Sequence, residues 1–306
     1  MTHYLIRFQH FIHSTLDQRT PHAVLAACVD LSKAFNRVDH VLLVQDLFDM
    51  HAPSWLLRII ISYLTNRTMQ LTFKGQCSSP RDLPAGSPQG AYLGVLIFII
   101  KFNGAFLRPS IPRPALLQDV PSVKVKFIDD GSVPVSVDLS DLVPDHTDRQ
   151  RPLSFRERAG LVLPRENNLL QFYIHDVETF ASNNNMIIIK KKTQGMLFTF
   201  SRKLDFPPEI FFSNGSFLET ISETTLLGVV ITDDLKWKKN TSHICTKARQ
   251  KLWMLRRLIL LDFSVHELFD VYRKEIRSVL EYAVPVWHGG LTLRQSSEIE
   301  TVQKMA

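Results

Sequence analysis

Three carboxylates stand at the ends of two strongly apolar runs in this sequence. Asp30 follows the run AVLAACV at 23–29, and Asp129 and Asp130 follow VKVKFI at 123–128. A charged group near a hydrophobic core is costly unless something pairs with it. Two divalent metal ions would be such a partner, because hard cations prefer carboxylate oxygens. If the two runs are adjacent strands, Asp30 and Asp129 meet at one end of a sheet.

A simpler interpretation of the second run needs no metal. Asp-Gly after an apolar run is a strong hairpin signal, so Asp130-Gly131 alone favours a tight turn. The chain repeats the pattern, since Asp233 and Asp234 follow the apolar stretch VVIT. Paired aspartates after a strand are therefore not diagnostic here, and Asp30 is what distinguishes the first pair.

Composition places the chain among ordinary folded proteins with a modest basic bias. Its 306 residues are 45% hydrophobic and 22% charged, and the formal net charge is +6. Most of the excess positive charge follows residue 189, in KKK at 190–192, KWKK at 236–239 and KARQKLWMLRR at 247–257. This clustering is compatible with a polyanionic partner but does not require one.

Cysteine spacing and hydropathy exclude several classes of protein. Cys28, Cys77 and Cys245 have no short spacing, which excludes a Cys-rich zinc site and favours a reducing, intracellular compartment. The N-terminus lacks the apolar core of a signal peptide. The longest apolar run, residues 93–100, is too short to span a bilayer, so no membrane association is expected.

The hydrophobic patterns predict an α+β body followed by a helical region. Strands are predicted at 23–29, around 69–75 with a turn at Gly75, across a hairpin at 123–137 turning at Asp129-Asp130-Gly131, within 186–201 after a turn, and at 225–232. Helices are predicted at 38–50, from 54 to near 66, at about 88–106, at about 169–183 and from about 240 onward.

Some of these elements carry more specific expectations. The helix at 38–50 is predicted to place Val41, Val44, Leu47 and Phe48 on one face. Ser87 and Pro88 are the predicted N-cap and first residue of the helix at 88–106, which periodicity alone does not distinguish from a strand. The polar stretch at about 138–168 predicts an inserted surface loop. Trp253, at helical spacing, is predicted to belong to the core, with an aromatic platform on which bases stack as the alternative.

Six segments in order resemble the motifs of reverse transcriptases, particularly those of non-LTR (LINE-type) retrotransposons. They are CVDLSKAFNRVDH, LPAGSPQGAYLGVLIFIIKFN, VKFIDDGSV, NNNMIIIKKKTQGMLFTFS, LLGVVITDDLKW and RSVLEYAVPVWHGGLTLRQSSEIETVQK. The resemblance covers nearly the whole chain. It implies an α+β right-hand polymerase palm, in which helices pack on an antiparallel sheet, with partial fingers and a helical thumb.

The resemblance also implies a division of the chain. The expected parts are a remnant of the fingers at 1–22, the first part of the palm at 23–50, a fingers–palm connection at 51–83, the rest of the palm at 84–238 with the inserted loop at about 138–168, and an incomplete helical thumb at 239–306. The family has a larger fingers region before the first aspartate motif, so the chain is expected to be truncated at both ends.

The implied activity is RNA-directed DNA polymerisation, in which a DNA primer is extended on an RNA template with deoxynucleoside triphosphates. Asp30, Asp129 and Asp130 would hold two Mg²⁺ ions, with Mn²⁺ as a substitute. Lys192 would act as a general acid near the pyrophosphate. The other interpretation of Lys192 is a solvated lysine of a charged turn.

The resemblance further implies a nucleotide site. The backbone at Leu31, Ser32, Lys33 and Ala34 would follow the triphosphate. The ring of Phe35 would exclude a ribose 2′-hydroxyl, although a phenylalanine of the core is the alternative. Gln89 and Gly90 would lie beside the incoming nucleotide, whereas a polar residue at a helix N-terminus is the alternative for Gln89.

Two other functions remain open at this point. The first alternative to the polymerase interpretation is an inactive retroelement remnant that at most binds nucleic acid through its basic thumb. The second is a non-catalytic α+β protein whose aspartates are turn residues. The first alternative follows from the short fingers region, because lost basic residues there would remove stabilisation of transition-state charge.

Overall fold

The computed structural model describes residues 1–19, 22–88, 90–107, 112–113, 118, 122–127, 130–138, 169–200 and 209–306. For residues 104–107, 127, 130 and 138 it describes the backbone alone. Asp129, Gln89 and nearly all of the predicted loop at 138–168 therefore lie outside the described residues.

Helices and strands alternate through the first part of the chain, and helices alone follow. The helices are α1 (Thr2–Leu16), a 3₁₀ helix (Ala34–Arg37), α2 (His40–Asp49), α3 (Ser54–Leu64), α4 (Tyr92–Leu107), α5 (Leu169–Asn183), α6 (Lys238–Ile259), α7 (Val265–Val271), α8 (Ser278–Leu280), α9 (Val284–Trp287) and α10 (Leu293–Lys304). A π-helix, Tyr272–Arg277, joins α7 to α8, and a 3₁₀ helix, His288–Gly290, follows α9.

The strands are β1 (His22–Val29), β2 (Thr68–Met69), β3 (Thr72–Phe73), β4 (Gln76–Cys77), β5 (Arg81–Asp82), β6 (Val125–Phe127), β7 (Asp130–Asp138), β8 (Gln194–Phe198), β9 (Glu219–Thr220), β10 (Glu223–Leu226) and β11 (Val229–Thr232). The predicted α+β class with a helical C-terminal region is confirmed.

Five of the described strands form one sheet in the order β6-β7-β1-β8-β9. The central strand β1 pairs antiparallel with β7 and with β8. The edge strand β9 instead runs parallel to β8, so the predicted antiparallel sheet is confirmed except at this edge.

Helices cover both faces of this sheet. Alternate residues of β1, Ala23, Leu25, Ala27 and Val29, pack in one core with α2–α5. Val24 and Ala26 pack in a second core with α1 and the C-terminal helices. A central strand covered on both faces needs apolar residues throughout, which explains the uninterrupted run AVLAACV.

Helix α2 buries a different face from the predicted one. Val41 and Phe48 are 78% and 67% exposed, whereas Leu43 and Leu47 are buried. The exposed pair borders a groove of about 600 Å³ between α2 and α3. On another side of α2, Nζ of Lys101 forms a salt bridge with Oδ2 of Asp46 at 2.6 Å, and the lysine side chain is only 1% exposed. This ion pair, buried only on its lysine side, links α2 to α4.

Helix α4 begins at Tyr92 rather than at Pro88. Gly86 and Gly90 have φ angles of +98° and +88°, which a continuing right-handed helix does not allow. The hydroxyl of Ser87 donates to the carbonyl of Gly94 instead of capping a helix start at Pro88. The segment before α4 is therefore a loop folded back onto the helix.

The predicted strand at 225–232 is a hairpin. β10 and β11 pair antiparallel, and the turn between them has φ angles of +47° at Leu227 and +80° at Gly228. Two successive positive φ angles are characteristic of the tight turns that join hairpins. The turn predicted at Gly75 is confirmed, and it joins the short strands β3 and β4.

Two further sequence expectations concern helices. The bounds of α5, Leu169–Asn183, match the predicted helix at about 169–183. Within the described ranges, no helix combines the length and the apolar character needed to cross a lipid bilayer.

Candidate active site

Asp30 lies directly beyond the end of β1, and its backbone is held from both sides. Its amide donates to Oγ1 of the buried Thr193 at 3.3 Å. Its carbonyl accepts a 2.9 Å hydrogen bond from the amide of Ile189. The side chain is 36% exposed. The backbone is thus fixed while the carboxylate remains accessible to solvent.

The lysine turn at 190–192 lies against this strand end because of a mismatch in strand pairing. Cys28 pairs with Gln194, and Leu31 bridges Ile188, so residues 29–30 stand opposite residues 189–193. The additional residues form a turn that is closed by hydrogen bonds from the amides of 192 and 193 to the carbonyl of 189, both 2.9 Å.

The structure brings two of the predicted site residues together in this turn. Nζ of Lys192 lies 3.5 Å from Oδ2 of Asp30, although the lysine side chain is 68% exposed. Lys190 faces away and pairs with Glu178 at 3.2 Å. The exposure of Lys192 agrees with the interpretation of a solvated charged turn. Lys190 and Lys192 nevertheless each have a carboxylate partner.

The strand register places a second aspartate on the strand next to Asp30. Val29 and Gly131 are the last pair of the β1–β7 register, so Asp30 and Asp130 are the next residues on the two neighbouring strands. On the other side, Phe127 of β6 pairs with Asp130. Asp130 and Gly131 belong to β7, so the predicted turn at Asp129-Asp130-Gly131 is wrong in its last two residues. Paired strands on both sides hold them there.

A cleft of about 320 Å³ opens beside Asp30, within the size range of ligand-binding sites. Its described lining comprises Cys28, Val29, Asp30, Gly131, Ser132, Lys191, Lys192, Gln194, Thr224, Thr225 and Leu226. Among the described residues, no three His, Cys, Asp or Glu side chains are grouped closely enough to hold a metal ion. The carboxylate of Asp30 is an oxygen donor of the kind that Mg²⁺ prefers, and the backbone of Asp130 lies on the neighbouring strand.

Several lining residues were not identified from the sequence. Thr224 and Thr225 reach the cleft only because residues 223–232 fold as a hairpin. The hydroxyl of Thr193, beside the cleft, accepts a hydrogen bond from the amide of Asp30. The only sequence signal for Thr193 was its place in the motif NNNMIIIKKKTQGMLFTFS.

The segment after Asp30 buries the side chains of Leu31 and Ala34, while that of Lys33 is exposed. Leu31 and Ala34 are each 4% exposed. The amide of Ser32 donates to the carbonyl of Ile187 at 2.7 Å. Lys33 has a φ of +47°, which turns the chain into the 3₁₀ helix Ala34–Arg37.

Phe35 packs partly against the core. Its ring stacks on that of Phe98 with centroids 4.1 Å apart and planes inclined by 21°. The described lining of the cleft does not include it. The loop before α4 grips the same turn, because the amides of Ser87 and Gly86 donate to the carbonyls of Phe35 and Val38 at 2.7 and 2.8 Å. Gly90, farther along this loop, is exposed.

Trp253 is not a core residue, contrary to the prediction. Its side chain is 65% exposed on α6, and the guanidinium of Arg257 lies 5.3 Å from its ring centroid. The core face of α6 is formed by Ile244, Cys245, Ala248, Leu252 and Leu255. The helix therefore turns an aromatic and basic face toward solvent.

Residues 2–135 match the profile of the family described as Reverse transcriptase (RNA-dependent DNA polymerase). The matched range is somewhat less than half of the 306-residue chain. It includes Asp30 and Asp130, the residues next to the last pair of the β1–β7 register.

Two curated relatives are similar to the chain over 266 residues, or 85% of its length. One is a probable RNA-directed DNA polymerase from transposon X-element of Drosophila melanogaster, at 22% identity. The other is the RNA-directed DNA polymerase from mobile element jockey of Drosophila funebris, at 24% identity. The similarity confirms the non-LTR retrotransposon resemblance, and the chain spans about a quarter of the length of each relative, 25%.

Among solved structures, telomerase of Candida tropicalis in complex with a TWJ fragment of telomeric RNA aligns over 99% of the chain and 43% of its own length. Its TM-score is 0.49 and its identity 11%. Telomerase of Candida albicans aligns over the same shares with a TM-score of 0.40 and 11% identity.

Proposed function

We propose that this chain catalyses RNA-directed DNA polymerisation at the cleft beside Asp30. The observation that carries the proposal is the register of β1 and β7, whose last pair, Val29 and Gly131, is followed by Asp30 on one strand and by Asp130 on the other. Lys192 approaches Asp30 from the other neighbouring strand. One acidic and one basic residue at converging strand ends suit transfer of a nucleotidyl group, because both the nucleophile and the leaving group carry negative charge in the transition state.

Asp30, Asp129 and Asp130 would hold two Mg²⁺ ions, for which Mn²⁺ can substitute. When bound, such ions supply positive charge to the triphosphate and favour ionisation of the primer 3′-hydroxyl. The side chain of Asp30 fits this role because it is accessible while its backbone is fixed by Thr193 and Ile189. A ligand held in place before the metal arrives needs less reorganisation on binding.

Lys192 would donate a proton to the departing pyrophosphate. Its ammonium group is within reach of Asp30, and its exposed side chain can turn toward a bound triphosphate. Proton donation to the leaving oxygen is general acid catalysis, which lowers the cost of expelling a charged group.

The nucleotide would bind along the turn after Asp30. The amide of Ser32 already donates to Ile187. We therefore assign contacts with the phosphates to the backbone from Lys33 onward, where the buried side chain of Ala34 leaves only main-chain atoms. Phe35 would contact the sugar, and Gln89 and Gly90 would flank the base.

The nucleic acid would extend from the palm toward the thumb, which we place at 239–306. Its helix α6 exposes Trp253 together with Lys247, Arg256 and Arg257. Phosphate attraction to such a face is independent of base sequence and weakens with salt. The partners proposed are thus an RNA template, a DNA primer and deoxynucleoside triphosphates.

Primer extension tests the proposal directly. The full 306-residue chain is incubated with a DNA primer annealed to an RNA template, deoxynucleotides and Mg²⁺. We expect template-dependent extension, and we expect Asp30→Asn and Asp129→Asn each to reduce it by about a hundredfold or more, as losses of electrostatic stabilisation do.

Asp233→Asn is the matched control, because Asp233 also follows an apolar strand but lies outside the cleft lining. It should extend primers like wild type. Absence of extension with both Mg²⁺ and Mn²⁺ would contradict the proposal. Salt-sensitive nucleic-acid binding without extension would instead support an inactive, nucleic-acid-binding remnant.

A further inference from the structure

A row of aromatic rings links the turn after Asp30 to helix α4. Phe35 stacks on Phe98 at a centroid distance of 4.1 Å, and Phe98 stacks on Phe102 at 5.6 Å with an 18° angle between planes. Phe98 and Phe102 are one helical turn apart on α4, and they are 0% and 1% exposed. The outer ring, Phe35, is partly buried, so one end of the row reaches solvent.

The far end of this row lies near β6, which pairs with β7. Nζ of Lys126, on β6, lies 5.8 Å from the ring centroid of Phe102 and donates a hydrogen bond to Oδ1 of Asn103. Helix α4 therefore contacts both the turn that carries Phe35 and the strand that leads to Asp129. A single rigid helix sets the distance between these two parts of the site.

Phe35 has two separate anchors, and they act on different parts of the residue. Its carbonyl accepts the amide of Ser87, which fixes the backbone. Its ring direction is set by the near-parallel contact with Phe98, because an aromatic side chain has several χ1 rotamers and a broad χ2 unless a neighbour selects one of them. Phe98 is itself locked by complete burial.

We infer that Phe98 is a positioning residue for sugar selection, since it holds the ring of Phe35 where a ribose 2′-hydroxyl would lie. This inference rests on the proposed function and names a residue that acts on the nucleotide only through Phe35. Without the ring of Phe98, Phe35 gains rotamers that leave space for the hydroxyl. A ribonucleotide then enters the site more easily, whereas a deoxynucleotide gains nothing.

The test compares single-nucleotide incorporation of deoxynucleoside and ribonucleoside triphosphates by the full chain. The measured quantity is the ratio of the two kcat/KM values. In Phe98→Leu we expect this ratio to fall by about tenfold or more, because discrimination by a steric contact is lost with its geometry. Phe98→Met, which has about the volume of leucine but an unbranched side chain that adapts to irregular space, should shift the ratio in the same direction and serves if the leucine variant is unstable.

Phe180→Leu is the matched control, because Phe180 belongs to the same core and is 5% exposed on α5. General core damage lowers both kcat/KM values together, so its ratio should stay at the wild-type value. Phe35→Ala should lower the ratio at least as much as Phe98→Leu does. The double variant Phe35→Ala, Phe98→Leu should have the same ratio as Phe35→Ala alone.

The outcomes separate two failures. An unchanged ratio in both Phe98 variants, with a lowered ratio in Phe35→Ala, would overturn the role of Phe98 and leave the polymerase proposal intact. An unchanged ratio in Phe35→Ala would overturn sugar selection by either residue. Absence of incorporation by the wild-type chain would reject the proposed function itself.

Discussion

At the scale of single residues, identical sequence patterns lead to different chemistry. Asp234 follows a strand as Asp30 does, but its Oδ1 accepts hydrogen bonds from the Thr232 hydroxyl at 2.7 Å and from the Lys236 amide at 3.0 Å. Burial would raise the pKa of Asp234, but these hydrogen bonds and Lys236 outweigh it and lower the pKa. Asp234 is thus committed to its own turn, whereas the carboxylate of Asp30 faces a cleft.

Lys192 gives a prediction at this scale. Lys192→Met removes the ammonium group 3.5 Å from Asp30, and we expect kcat for nucleotide incorporation to fall about a hundredfold, with a smaller change in KM, as loss of a general acid does. Steady-state kinetics over a range of pH is the measurement.

Lys191→Met is the control for Lys192→Met, since Lys191 lines the same cleft in the same turn. It removes the same charge but leaves the pair with Asp30 in place. Equal losses in the two variants would show that overall positive charge matters and that Lys192 has no separate role.

At the scale of elements, the loop before α4 is held by unusually close backbone contact. A Cβ added to Gly94 would lie 1.9 Å from the carbonyl oxygen of Pro88, and Ser87 donates to the carbonyl of Gly94. Because the same loop also contacts the Phe35 turn through the amides of Gly86 and Ser87, Gly94 controls how this loop, that turn and α4 fit together.

We expect Gly94→Ala to lower the free energy of unfolding by about 1–3 kcal/mol, the usual cost of overpacking. Alanine inside an exposed helix would normally stabilise it, so the sign of the change is informative. Gly289→Ala is the control, because a Cβ there meets nothing within 4 Å. Chemical denaturation measures both. A Gly94→Ala protein as stable as wild type would mean that the loop does not pack on α4 as described.

At the scale of the whole molecule, the C-terminal helices serve both the core and the surface. Trp287 is 2% exposed, and its Nε1 donates to the carbonyl of Tyr282 at 2.9 Å. Trp253 is 65% exposed beside Arg257. Two tryptophans of one helical region are thus expected to contribute to different properties.

Trp253→Ala should weaken binding of a primer–template duplex by about 1–3 kcal/mol, the range found for aromatic contacts with nucleic acid, and should leave the melting temperature unchanged. Trp287→Ala should lower stability by about 3–5 kcal/mol, as large core truncations do. Fluorescence anisotropy and thermal unfolding measure the two effects. Unchanged binding in Trp253→Ala would exclude this face of α6 from the interface.

The sequence identified elements whose pattern depends only on neighbouring residues. The apolar run before Asp30 predicted the central strand, the periodicity at 169–183 predicted α5, and Gly75 predicted a turn. It failed where a distant contact decides the local structure. Nothing local shows that Ser87 bonds to Gly94, or that Val41 and Phe48 face a groove rather than the sheet.

For the candidate site, the sequence by itself determined which chemical groups are present: acidic residues at two strand ends and a lysine turn. Only the tertiary structure decided their arrangement, because strand register is a property of pairs of strands. That register brings Asp30 next to the strand that carries Asp130, and the surplus residues before β8 bring Lys192 to Asp30. The aromatic row from Phe35 to Phe102 likewise exists only because α4 packs against the turn after β1.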